Sequence, residues 1–182
     1  MANESGVRPL RADAARNRRA VIDAARHAFA QNGVNASLED VARAAGVGPG
    51  TLYRHFPTRN DLVLAVIEDG LAELHRLGVE LLDDPDPLSA LTRWLQAYID
   101  QNSMYEGVAR TFASPPPDGD ERSSCRLALD VGAALIHRAV DADADDVRAL
   151  ASAIAWIDGQ LPPDPERRAR LLRMMLDGIR PR

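Results

Sequence analysis

The chain has no lysine: all 22 of its Lys-plus-Arg positions are arginine. It has one cysteine, Cys125. A lone thiol forms no internal disulfide, which excludes a disulfide scaffold and agrees with a reducing compartment. No apolar run approaches the ~18 residues of a membrane span, so no membrane partner is expected. The first stretch, MANESGVRPLRADAARNRR, lacks the apolar core of a signal peptide, and the expected location is the cytoplasm. Reactive constellations are missing too. His27, His55, His75 and His137 show neither HExxH nor any other paired-ligand spacing, so no metal is expected. The acids of DADADD at 141–146 lack the Gly and the terminal Glu of a calcium loop, and suit helix capping better. GVGPG at 46–50 follows a helix rather than a strand, which argues against a nucleotide cradle. There is no GxSxG elbow and no nucleophile with its base. Neither an enzyme nor a cofactor is expected.

What is present reads as helix throughout. With 182 residues, 46% hydrophobic and 27% charged, the chain is globular and can bury one sizeable core or two small ones. The net charge of −5 argues by itself against nucleic acid. Its distribution does not. Residues 1–60 hold nine Arg against five acids, whereas residues 61–182 hold thirteen Arg against twenty-two acids. A basic end beside an acidic remainder fits a DNA-binding head on a body that repels DNA.

The organising stretch is ASLEDVARAAGVGPGTLYRHF, residues 36–56. Ser37 suits an N-cap and Asp40 the acidic half of a capping box. Leu38, Val41, Ala42 and Ala45 recur at helical spacing, and Gly46 stands where a left-handed residue ends a helix. Pro49 opens the next helix, whose buried side is Leu52 and Phe56. Two short helices around a Gly-containing turn form either a helix-turn-helix over residues 37–56 or an ordinary helical hairpin. In the first case the N-terminal end of the second helix, Gly48, Pro49, Gly50 and Thr51, enters a DNA groove.

The residues Ala25, Phe29, Gly33, Ser37, Val41, Ala42, Ala45-Gly46-Val47, Gly50-Thr51-Leu52-Tyr53, His55-Phe56, Arg59 and Leu62 together resemble the DNA-binding domain of the TetR family of bacterial transcriptional regulators. The chain departs from the family's habit at Gly48, Pro49 and Thr58-Arg59, so the bases read are not carried over. The resemblance implies that Ser37, Gly48, Pro49, Gly50, Thr51, Tyr53 and His55 lie at the groove and that Arg59 holds a phosphate. Arg16, Arg18 and Arg19 are further phosphate contacts or simply a solvated face. Residues 1–12, with Arg8 and Arg11, read as a mobile arm.

The remaining pattern gives an all-α chain of about nine helices. The first helix covers residues 14–32, with Ile22, Ala25, Ala28 and Phe29 inward. Thr58 and Asp61 cap a long fourth helix whose seam is Leu64, Ile67, Leu71, Leu74 and Leu81. Pro87 opens the fifth, with Leu88, Leu91, Leu95 and Ile99 inward. A short sixth helix is expected over 105–113, a proline-rich loop over 114–123, and three more helices follow. The expected domains are a three-helix DNA-binding domain with its helix-turn-helix, 14–74, and a helical ligand-binding and dimerisation domain, 75–182.

The resemblance also implies a small-molecule pocket within helices four to seven. Its candidate lining is Leu74, Trp94, Tyr98, Tyr105, Phe112 and His137; aromatics at such spacing serve equally as packed core. It implies a homodimer through the last two helices, with Leu150, Ile154, Ile157, Leu171, Leu172 and Met175 as candidates, unless these only close the monomer. The function that follows is a transcription repressor released from a palindromic, double-stranded DNA operator by an unknown small-molecule effector. The alternative is a ligand-binding or interaction protein that has lost DNA binding.

Overall fold

Caps and glycines set the ends of the first elements. In the computed structural model the backbone is described for residues 7–109, 123–162 and 164–179, with side chains except at 7–11, 34 and 104–109. Among these residues there are eight α-helices and no strand: α1 (Val7–Asn32), α2 (Leu38–Ala44), α3 (Pro49–His55), α4 (Arg59–Leu81), α5 (Pro87–Ala109), α6 (Ser124–Ala139), α7 (Ala144–Gln160) and α8 (Pro165–Ile179). A single 3-10 turn, Gly33–Asn35, follows α1. None of these helices is long and apolar enough to cross a membrane.

Two differences from the sequence reading concern helix length. α1 starts at Val7, so Arg8 and Arg11 stand on the helix and not on a separate arm. Pro9 is tolerated there because the first turn needs no N–H bond. The expected fifth and sixth helices are one, α5, which runs through to Ala109. Ser103, at the expected break, bonds its hydroxyl back to the Ile99 carbonyl at 2.9 Å and leaves the helix intact. The rest of the expected sixth helix and most of the proline-rich loop lie outside the described residues.

The chain divides into two compact units, Met1–Ile67 and Glu68–Arg182. The division falls before the boundary expected at residue 74, because Leu74 is packed in the core of the second unit. In the first unit, Val21, Ile22, Ala25 and Phe29 of α1, Leu38, Val41 and Ala42 of α2, Leu52 and Phe56 of the α3 segment, and Leu62 and Val66 of α4 are buried, and α1 packs against α2 and α3. Leu64, expected on the seam, is 52% exposed. The first turns of α4 serve the head through Leu62 and Val66, four residues apart, and that register turns Leu64 outward.

In the second unit α5 is the central helix and packs against α6, α7 and α8. Its Trp94 is fully buried and stacks on Tyr98, ring centroids 5.3 Å apart. Glycines make room for the indole. A methyl on Gly132 of α6 would overlap the ring, and one on Gly78 of α4 would fall 2.6 Å from Val131 and 3.1 Å from Trp94 Nε1. The last helix is fastened by charge. Arg168 of α8 bonds both Asp158 of α7 and Asp100 of α5. Arg167 places a second guanidinium 3.6 Å from Asp158, whose side chain is 7% exposed. Burial raises the Asp100 carboxyl above its ordinary range; Arg168 draws it back and the nearby Asp158 charge pushes it up again.

Candidate nucleic-acid interface and effector region

α2 opens as its sequence dictates: the Ser37 hydroxyl accepts the Asp40 N–H at 3.3 Å. The reciprocal half of that box is not what Asp40 does. Its carboxylate takes the Arg43 guanidinium at 2.6 Å. α2 closes on Gly46 at φ 69°, with Gly46 N–H bonded to Arg43 O at 3.1 Å and Val47 N–H to Ala42 O at 3.0 Å. This paired arrangement is the Schellman stop, and its left-handed residue favours glycine. α3 restarts two residues later with Gly48 as N-cap and Pro49 in its first turn.

The resulting α3 is anchored on one side only. Leu52 and Phe56 are 1% and 2% exposed, whereas Pro49, Gly50, Tyr53 and Arg54 face outward. Thr51 and His55 are half-buried, flanking the core side. Tyr53 is 49% exposed, a large ring held out of the core. Thr58 and Asp61 then cap α4 reciprocally: Thr58 N–H and hydroxyl both donate to the Asp61 carboxylate, and the Asp61 N–H donates to the Thr58 hydroxyl at 3.1 Å. Two helices joined by this Gly46–Gly48 turn, the second with a solvent-facing side of small and aromatic residues, form a helix-turn-helix.

Comparison with known proteins agrees with that geometry. The family pattern described as "Bacterial regulatory proteins, tetR family" matches residues 21–66, and that of "Transcriptional regulator SbtR-like, C-terminal domain" matches residues 86–181. The crystal structure of the TetR transcriptional regulator SCO0520 from Streptomyces coelicolor is 34% identical, with a TM-score of 0.72 over 90% of this chain and 98% of that one. The chain belongs to the TetR family of bacterial transcriptional regulators. The HTH-type transcriptional repressor LfrR of Mycolicibacterium smegmatis is 36% identical over 102 residues, 53% of this chain and 48% of that protein. The alignment thus spans about half the length of this curated relative. LfrR has also been solved in complex with proflavine; that structure has the same fold, with a TM-score of 0.66 at 22% identity.

Within the TetR-type head, several arginines of the sequence reading have partners inside the chain. Arg16 pairs with Asp13, and Arg19 with Asp23 at 3.0 Å. Arg18 lies over the Phe56 ring, 5.3 Å from its centroid. Arg59, expected on a phosphate, donates from Nη1 to the Ala36 carbonyl at 2.6 Å. The Arg16 and Arg19 pairs lie within α1 at i,i+3 and i,i+4 spacing and were legible there, whereas the Arg18 and Arg59 partners are fixed by how distant segments meet.

The expected effector set does not assemble as one group. Leu74 and Trp94 are buried in the core of the second unit, with Tyr98 packed beside it. Tyr98 Oη lies 3.2 Å from Ser152 Oγ, which also accepts from Asn102 Nδ2 at 3.4 Å. Trp94 Nε1 is buried without a hydrogen-bond partner among the described residues. His137 is corrected: it sits on the exposed last turn of α6, beside a shallow dent formed with residues 138–143. The inward positions of α6 are Leu135 and Ile136, and the next residue along the helix turns away from them. The Tyr105 side chain and Phe112 lie outside the described residues.

The expected dimer residues also divide. Ile154 and Leu172 are 6% and 2% exposed and belong to the monomer core, while Ile157, Leu171 and Met175 are half-buried. Leu150 faces outward, 50% exposed. It shares the outer side of α7 with Ala149, Ala153 and Trp156, the last 52% exposed. Met174 on α8 is 70% exposed. Trp156 was legible with Ala149, Leu150 and Ala153 as a second apolar stripe of α7, whereas Met174 stands among Arg170, Arg173 and Asp177 with no such signal.

Proposed function

We propose that this protein is a transcriptional repressor that binds a palindromic operator as a homodimer in the cytoplasm and is released by a small-molecule effector. The observation that carries the reading is α3. It is capped and anchored by Leu52 and Phe56, yet turns Gly50, Tyr53 and Arg54 outward, in a head whose residues 1–60 hold nine Arg against five acids. An isolated head of this kind reads few bases. A two-fold dimer places two heads about 34–36 Å apart, one turn of DNA. The apolar outer side of α7, with Leu150 and Trp156, and Met174 of α8 support pairing of the last two helices.

The effector is mostly apolar with one or two polar anchors. Tyr98, Ser152 and Asn102, half-buried at the edge of the second unit's core, supply a ring and a small polar group as anchors, whereas Trp94 is fully packed. The proflavine complex of LfrR makes planar aromatic molecules the first class to try. α4 is continuous from Arg59 to Leu81 and contributes to both units. An effector that favours one setting of α4 lowers DNA affinity, and DNA lowers effector affinity by the same factor.

The test is a gel-shift with the DNA upstream of the protein's own gene, using the parent and Tyr53→Ala. Parent binding and a folded variant with weakened binding support the assignment; equal binding by both removes Tyr53 from the interface. Any compound that raises the melting temperature is then included in a DNA titration. Release is expected to change affinity roughly 5- to 150-fold. Unchanged DNA affinity would separate the compound's site from control.

A further inference from the structure

The arginines described in the first unit are engaged within the chain, with one exception. Arg16, Arg19 and Arg43 pair with acids, Arg18 lies on Phe56, Arg59 holds Ala36, and Arg26 also has a partner. Arg54 is exposed, and among the described residues no carboxylate, carbonyl or ring holds its guanidinium. Its place on α3 is specific. Leu52 and Phe56 mark the core side. At ~100° per residue, the direction opposite the midpoint of those two falls on Arg54. Gly50, one turn earlier, shares this outer side, and a Cβ built there would meet nothing within 4 Å. Tyr53 flanks it and is exposed. A long planar donor thus projects along the centre line of the outer face, from the last turn of α3, with no bulky side chain beneath it.

We propose that Arg54 determines sequence specificity, donating two N–H groups to O6 and N7 of a guanine in the major groove of each half-site. The proposal rests on the DNA-binding reading above. An arginine at the rim of the helix would meet the backbone; one opposite the core meets the groove floor, where base edges are read. The guanidinium fork matches guanine bidentately, and an uncommitted arginine breaks no ion pair to reach it.

The experiment selects duplexes from a random pool with the full-length parent, Arg54→Ala and Arg54→Gln, each first shown to be folded by circular dichroism. The parent is expected to enrich a palindrome containing a G·C pair at one position of each half-site. Arg54→Ala is expected to enrich the same palindrome without that requirement. Its affinity for the parent's best duplex is expected to fall roughly 5- to 150-fold per half-site. Arg54→Gln is expected to shift that position towards A·T, since Gln pairs with adenine in the same groove. If both variants keep every position and bind matched and mismatched duplexes more weakly by the same factor, Arg54 holds a phosphate and the proposal fails. If the parent enriches no sequence, the DNA-binding reading itself fails and this proposal with it.

Discussion

The Arg59 guanidinium donates to the Ala36 carbonyl across 2.6 Å, tying the first turn of α4 to the residue that precedes the N-cap of α2. A side chain expected on DNA thereby fixes where the helix-turn-helix begins. Arg59→Ala is predicted to lower stability by about 1.5–3 kcal/mol, the usual effect of losing a hydrogen bond to a charged group. DNA binding falls with it. Denaturant unfolding measures the first effect. Parent-like stability with weakened DNA binding would make Arg59 a phosphate contact alone.

Trp94 fits only because Gly132 has no side chain. Gly132→Ala is predicted to destabilise the protein by about 1–3 kcal/mol through overpacking. Trp94→Phe leaves room for the methyl, so the double variant should lose less than the sum of the two single changes. Thermal melts of the four proteins give the coupling, and strict additivity would show that the ring and the glycine do not compete for space.

Leu150 and Trp156 face outward on α7, whereas Ile154 faces the core. Leu150→Glu with Trp156→Glu is predicted to yield a folded monomer by light scattering. Ile154→Glu is predicted to unfold the chain at any concentration, since it buries an unpaired carboxylate. A double variant that keeps a dimer's mass would move the proposed interface elsewhere.

Asp100 gives a pH signature. Its carboxyl is raised in the folded state, chiefly by partial desolvation; the side chain keeps 62% of its surface exposed, so the effect on stability is small. A raised carboxyl stabilises the fold below its unfolded pKa of about 3.9, and this contribution is lost as pH rises through the folded value. Asp164 acts in the opposite sense. The Arg167 backbone N–H holds it below its ordinary range, so its contribution is present above the unfolded pKa and lost as pH falls through the folded value. Asp100→Asn is therefore predicted to gain stability relative to the parent at pH 7 and to gain less, or nothing, at pH 4. Urea unfolding at both values tests this; the same difference at both would show that Asp100 is not the titrating group.

Local signals determined the head. Ser37, Gly46, Pro49, Thr58 and Asp61 each act on backbone groups within a few residues of themselves, so their roles are readable without knowing what surrounds them. Helical spacing likewise placed Leu52 and Phe56 inside and left Tyr53 outside. The tertiary structure decided whatever depends on a partner distant in sequence. Arg59 reaches Ala36, Arg18 reaches Phe56, and Arg168 joins Asp158 to Asp100. It also decided between two apolar faces of one helix, placing Ile154 in the core and Leu150 outside. Periodicity reveals that a helix has apolar faces; only the packing of its neighbours settles which one is covered.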